Sequence, residues 1–371
     1  MKKYLIIFFC FGSSNLLSQT GISNTLDLLF VSSNEVNQIE IIDLSKNDSI
    51  AVIDTHKQVH ELFATPFAPV LIFTSLEDNT ANFIDLRNLS IASEMSLDVT
   101  PEFGVMDPSG TKIAFTNLSE GGIQYISAYG ASTIFTIHDF PPTSAVLFDT
   151  NEIELFFSGY QNAWIGFLDL NSKVYSEIEL PIISDRALLS SPSRSLDGRY
   201  IYISNNLSGE VYAINAFSKI IFNSFEIGDL PARPYTTPSG SFMYMIDQVS
   251  GRFLSVDQNQ FSVYFDGTLS ANLDLITVGR FDRFNLFMGT TTNNYLLFDN
   301  VTLNIVDAGN FSSIPIETFG SVDGRSAYIA FADTPNISVY SLESQSIGLI
   351  ETTIKTGFDA MTVGLSNNVC H

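Results

Sequence analysis

Short apolar runs separated by polar loops recur along the whole chain, and eight of them close on a small polar residue. The closing residues are Asp43, Asp85, Ser127, Asp169, Asn215, Asp257, Asp299 and Ser341, spaced 42, 42, 42, 46, 42, 42 and 42 apart. A period near forty residues in a strand-rich chain points to a propeller or a solenoid. Within each unit an inner strand runs into a turn, as in FGVMDPSG at 103–110 and YTTPSG at 235–240. A second strand is apolar at nearly every position, as in LLFVS from Leu28 and YIYIS from Tyr200. A loop rich in Asn, Ser and Gly follows, then the third strand with its closing residue, then a more polar fourth strand. Strands apolar on both sides need cover on both faces, and neighbouring four-stranded blades of a propeller give it to one another. Amphipathic helical periodicity is absent, which excludes helical repeat arrays.

The closing Asp, Asn or Ser is expected at the turn between third and fourth strands, where a short side chain bonds the backbone two residues on. That is a structural role rather than a metal-ligating one. The first unit lacks an inner strand, whereas AMTVGL at 360–365 is an inner strand without a unit. The last strand is therefore expected to complete the first blade and cover an otherwise open edge. This reading gives an all-β chain forming a single β-propeller of four-stranded antiparallel blades over 22–368. Eight blades are favoured, or seven if the first or second unit is degenerate. The one 46-residue interval is attributed to four extra residues in a turn, PSRSLDG at 192–198 against PSG at 238–240.

Composition agrees with a large core: 45% of residues are hydrophobic and 15% charged, which argues against disorder. The net charge of −23 repels phosphate backbones and anionic lipid, so nucleic acid is not an expected partner. It reads as a solubility device or as a surface for a cationic protein. The N-terminus has the form of an export signal over 1–18, with Lys2 and Lys3 before the apolar run YLIIFFCF, which is too short to span a bilayer. Cleavage after Ser18 fits. A lipoprotein reading at Cys10 is disfavoured because Phe8 and Phe9 stand where small residues belong. No later segment has the length and apolarity of a membrane span. The expectation is a periplasmic or extracellular protein in which Cys370 alone remains after processing, so that no internal disulfide forms.

The repeat resembles the YVTN family of β-propellers over roughly residues 25–368. Ile41-Ile42-Asp43, Asp107-Pro108-Ser109-Gly110, and Ser204-Asn205 through Ile214-Asn215 carry the likeness. The resemblance implies an exported protein that binds partners or sits beside redox enzymes. The family carries no universal catalytic residues to transfer.

Catalytic motifs are sparse. No G-x-S-x-G elbow or phosphate-cradling glycine loop occurs, the WD-repeat pairs are missing, and one Trp leaves no room for a quinoprotein docking motif. His56, His60 and His138 fall in interblade connections and read as surface histidines rather than as a converging metal site. Residues opening the inner strands would line the mouth of a central channel. Repeat alignment places His60, Glu102, Ser144, Arg186, Arg233, Asp274 and Asp359 there. Arg186 and Arg233, read as equivalent positions in adjacent blades, could fork onto a carboxylate or another small anion. The alternative is structural pairing with acids such as Asp185 or Asp229.

The terminal Cys370-His371 allows three readings: a plain tail at 369–371, a thiol contact with another chain, or a copper, zinc or haem site. No cofactor is expected otherwise. The function expected is non-catalytic binding or scaffolding, through loops and channel mouth, of a protein or small anionic ligand. The alternative is a propeller enzyme, or a subunit of a periplasmic redox or lactonase-like hydrolase system.

Overall fold

The computed structural model describes residues 28–33, 36–65, 69–160, 163–181, 189–321, 323–343, 350–357 and 362–365. Its strands form eight four-stranded antiparallel sheets, and the only helical element among the described residues is a single 3-10 turn at Arg280–Asp282. The chain is an all-β, eight-bladed propeller. Its contacts divide it into two compact units. One holds blades 1, 2, 3 and 8, with second strands Leu28–Ser32, Val70–Ser75, Lys112–Thr116 and Ser326–Phe331. The other holds blades 4 to 7, with second strands Glu154–Gly159, Tyr200–Asn205, Phe242–Ile246 and Phe284–Met288.

In the first unit the last strand of the chain completes blade 1. Thr362–Leu365 pairs antiparallel with the second strand, Leu29 opposite Leu365 and Ser32 opposite Thr362. Residues 360 and 361 of the expected closing strand lie outside the described residues.

Alternate side chains of one strand enter different cores. Leu28 and Phe30 pack with Leu71 and Phe73 of blade 2, whereas Leu29 and Val31 pack with Phe319 and Tyr328 of blade 8. In the second unit, Tyr212 and Ile214 of blade 5 join Ile165 and Phe167 of blade 4, and Val211 and Ala213 join Met243 and Met245 of blade 6. The core strands of blades 1 and 5 are therefore apolar throughout because each face meets a neighbouring blade. Outer strands alternate instead; Ile220–Glu226 and Ser262–Thr268 expose most of their residues.

The closing residues all make the expected bond. The backbone N–H two residues on donates to the side-chain oxygen of Asp43 (2.9 Å), Asp85 (2.9 Å), Ser127 (3.4 Å), Asp169 (3.0 Å), Asn215 (3.0 Å), Asp257 (2.8 Å), Asp299 (2.9 Å) and Ser341 (3.3 Å). The same turns carry a feature the residue types hide. Four positions after the closing residue the backbone is left-handed in blades 1 to 7, at Asn47, Leu89, Ala131, Lys173, Lys219, Phe261 and Leu303, with φ between 43° and 58°. Only Asn47 is a residue that favours this region; the others hold it at a cost of about 1–2 kcal/mol each. This is the left-handed residue that follows a type I turn in hairpins and lets the strands keep their twist.

A second recurring side chain holds the turn between inner and second strands. Asp107 Oδ1 accepts the Thr111 and Lys112 N–H groups at 2.6 and 2.9 Å, and Asp149 Oδ1 accepts those of Ile153 and Glu154 at 2.7 and 3.0 Å. Ser195, Thr237 and Ser321 hydroxyls accept the N–H five residues on at 3.0, 3.1 and 3.0 Å. From closing residue to turn anchor is 22 residues for Asp85 to Asp107 and Asn215 to Thr237, but 26 for Asp169 to Ser195.

The four extra residues therefore lie in the connection before blade 5, not in the turn at 192–198. That turn, 195–199, is five residues long, as is the turn at 237–241. Blade 7 has Gly279 at the anchor position, and without a side chain to hold it the turn folds into the 3-10 element, with Phe281 and Asp282 left-handed at φ 59° and 55°.

Substitutions at two positions check these turns. Lys173→Gly, at an exposed left-handed position, is expected to raise the unfolding free energy by about 0.5–1 kcal/mol. Asp107→Ala, which strands two backbone donors, is expected to lower it by about 2–3 kcal/mol, and Asp107→Ser by about half as much because a hydroxyl serves at 195 and 321. Denaturant titration of each variant measures both.

Candidate functional site

Each blade has two ends. The turns between strands one and two and between strands three and four share one end, while the second-to-third loops and the interblade connections share the other. Most of the described lysines and arginines lie at turn ends, beside acids that they neutralise; at loop ends Arg252 pairs with Asp266 at 2.9 Å in blade 6. Lys46 pairs with Asp43 at 2.5 Å, Arg87 with Asp85 at 2.9 Å, Lys112 with Asp107 at 3.5 Å and Arg325 with Glu343 at 2.9 Å in the first unit. In the second unit Arg199 pairs with Asp197 at 2.5 Å, Arg283 with Asp299 at 3.4 Å, and Lys219 with Glu154.

Loop ends are different. At blades 2 and 3 the connections and loops present Glu77, Asp78, Asp98 and Asp139 exposed and Glu102 half-buried. Lys57 is the one lysine or arginine beside them among the described residues; it meets Asp78 at 2.5 Å and Glu94 at 2.7 Å. Among the described residues Asp98 accepts the Thr136 hydroxyl, at 3.2 Å.

Backbone register fixes which residues open the inner strands. The His60, Ser190, Ala232 and Asp274 N–H groups each donate to the carbonyl fourteen residues on, at 2.8, 2.9, 2.8 and 3.0 Å. The position equivalent to His60 and Asp274 is thus Ser190 in blade 5 and Ala232 in blade 6. The equivalence of Arg186 and Arg233 fails: it assumed that the four extra residues followed Arg186 into the turn, and even so Arg186 is 17 residues after Asp169 whereas Arg233 is 18 after Asn215. Arg233 sits one residue later, exposed, and its Nη2 donates to the Pro192 carbonyl at 3.1 Å. Arg186 and Asp359, like Cys370 and His371, lie outside the described residues.

Among the remaining candidates, His60 and Glu102 meet: the His60 Nε2 lies 3.1 Å from the Glu102 carbonyl oxygen. His60 is half-buried, which departs from the reading of a plain surface histidine, whereas His56 and His138 are exposed. Burial lowers the His60 imidazole below its ordinary 6.5, against the opposing pull of the Glu102 carbonyl and carboxylate. In blade 7, Asp274 accepts the Thr290 N–H at 2.7 Å and its hydroxyl at 2.5 Å. Burial nonetheless raises the Asp274 carboxyl above its ordinary 3.8. Ser144 donates to the Ser158 carbonyl at 3.4 Å.

Glu61 is the residue that the sequence reading missed. It is fully buried next to His60, and its Oε1 accepts the Gly104 N–H of blade 3 at 3.2 Å. A Cβ on Gly104 would lie 2.5 Å from Phe63 and 2.7 Å from Glu61 Oε2, so glycine is what admits the carboxylate between blades. A glutamate in an otherwise apolar inner strand (HELFA, 60–64) was the available signal. Among the described residues no group of three or more His, Cys, Asp or Glu is placed to hold a metal ion, and no helix is long and apolar enough to cross a membrane.

No family model and no curated protein matches the chain. Among solved structures it is similar to dihydro-heme d1 dehydrogenase NirN in complex with DHE, at 17% identity and TM-score 0.73, over 93% of this chain and 75% of that one. It is also similar to BamB from Moraxella catarrhalis, at 15% identity and TM-score 0.65, over 82% and 90%. The β-propeller domain of Cps50 (Swd1) from Myceliophteria thermophila matches at 11% identity and TM-score 0.56, over 74% and 94%. Likenesses at these identities show the fold.

The depressed His60 imidazole carries a pH signature. Above 6.5 the residue is neutral folded or unfolded and contributes nothing. Below it the unfolded imidazole protonates first, so stability falls as pH falls toward the folded value. His60→Gln is expected to flatten the fall in thermal midpoint between pH 7 and pH 5 (about the window of an ordinary histidine) while leaving the midpoint above pH 7 nearly unchanged.

Proposed function

We propose that this chain is an exported, non-catalytic propeller of the YVTN kind that docks a cationic segment of a protein partner on its loop ends. The carrying observation is the charge at blades 2 and 3, where exposed Glu77, Asp78, Asp98 and Asp139 face Lys57 alone among described lysines and arginines. Carboxylates left without cations raise the local concentration of a positive partner and speed its encounter. The turn ends, where ion pairs cancel, offer no such field. A small anionic ligand at the channel mouth finds less support, since the two arginines that suggested it do not share a register position.

A second reading, a subunit of a redox system, draws on the likeness to NirN, a dihydro-heme d1 dehydrogenase. Visible absorbance of protein purified from its native host would favour that reading.

The primary reading is tested with immobilised oligolysine and oligoglutamate peptides. The chain is expected to bind oligolysine, with affinity that falls as salt rises. A Glu77→Lys, Asp139→Lys variant is expected to bind about tenfold more weakly, about 1.4 kcal/mol. Preference for oligoglutamate, or catalytic turnover of a small substrate, would overturn the proposal. Export is checked separately by the intact mass of secreted protein, which should lack residues 1–18.

A further inference from the structure

At the turn ends of blades 5 and 6 a cleft of about 270 Å³ opens between the turns at 195–199 and 237–241 and the hairpin at 258–259. We propose that this cleft binds a neutral saccharide. The inference is independent of the loop-end reading, since it concerns the opposite ends of different blades.

The wall chemistry carries it. The only charged residues there are Asp197 and Arg199, whose side chains meet at 2.5 Å and cancel. A phosphate or carboxylate ligand would need an unpaired cation, and an amine an unpaired carboxylate; the cleft offers neither. Gln258 is already used at both ends, its Oε1 accepting the Tyr202 hydroxyl at 3.1 Å and its Nε2 donating to the Phe242 carbonyl at 2.5 Å.

Three other groups are uncommitted. The Tyr200 and Ser241 hydroxyls and the Asn259 carboxamide make no hydrogen bond to another described residue. Each of these groups both donates and accepts, which is the complement of a ligand hydroxyl. A purely apolar ligand would leave all three unpaired, at a cost that hydroxyls remove.

The remaining surface is the Tyr200 ring. It contacts Phe261 (centroids 4.7 Å apart, planes at 73°) and Phe222 (5.2 Å), and the Arg199 guanidinium lies over it, 5.6 Å from its centroid. Beside it stands Leu196, half exposed. A rigid ring next to groups that both donate and accept suits a pyranose, which has a C–H face and a hydroxyl edge. The volume lies near the lower end of the roughly 300–1,000 Å³ of small-molecule sites, so the occupant is a monosaccharide or disaccharide rather than a long chain. The hydroxyl anchors at Ser195 and Thr237 hold two of the cleft's walls, giving it a preformed shape.

Saturation-transfer NMR on the full chain tests this with three sets of sugars: neutral hexoses and disaccharides, hexuronates, and hexosamines. Saturation of the neutral set is expected. Asn259→Ala and Ser241→Leu should each weaken it about tenfold, as loss of a donor–acceptor group does at a matched site. Tyr200→Phe removes the hydroxyl while keeping the ring, so it should weaken binding with an unchanged thermal midpoint. Three results would overturn the proposal: no neutral sugar saturates, a charged sugar is preferred, or binding persists unchanged in both Asn259→Ala and Ser241→Leu.

Discussion

Burial on both faces of every core strand is the constraint from which the rest follows. Leu28, Leu29, Phe30 and Val31 are all buried, and odd and even positions enter different cores. A single sheet with that pattern would expose one apolar face, so a blade is stable only between two others. Repetition of the unit is then required, and so is a partner for the edge of the first blade. Thr362–Leu365 supplies it, across more than three hundred residues of sequence. Because the interior is committed to blade-on-blade packing, recognition falls to loops and turns, and the fold itself selects no activity.

Much of this architecture was legible because its signals are local. Period, closing residues and orphan strand can be read from residue type alone, and every closing residue makes the bond its short side chain suggests. The left-handed position four residues later was not legible, since Leu89, Lys219 and Phe261 give no hint of φ near 50°. Hairpin twist imposes that conformation and blade packing holds it, so tertiary context overrides local preference. The turn anchor was hidden for another reason: Asp, Ser and Thr all accept the same N–H groups, so identity varies while chemistry persists. Missing that anchor moved four residues to the wrong side of Ser195 and created a false match between Arg186 and Arg233.

The candidate site was legible only in part. His60 and Glu102 were found from their place in the repeat, and they do touch. Beside them lies Glu61, a buried carboxylate that its place in the repeat does not single out. Its position needs Gly104 in the next blade, a relation between residues 43 apart that no single-repeat pattern contains. Charge placement escaped sequence reading as well. A net charge of −23 says nothing about where cations sit, and most of the described ones lie at turn ends beside the acids they neutralise.

That segregation has a physical cause in the repeat itself. The closing Asp and the turn anchor concentrate carboxylates at turn ends, where backbone N–H groups and neighbouring cations hold them at close range. Asp85, for example, takes the Arg87 N–H at 2.9 Å and its guanidinium at 2.9 Å, which holds its carboxyl below the ordinary 3.8. No comparable rule governs the loop ends, whose second-to-third loops and connections differ from blade to blade. They are free to accumulate charge of one sign, and at blades 2 and 3 they do. Structure thus restricts the turn ends to bonding the fold, except where two turns leave a gap between them, as at blades 5 and 6. At blades 2 and 3 the loop ends carry a negative field that the turn ends lack.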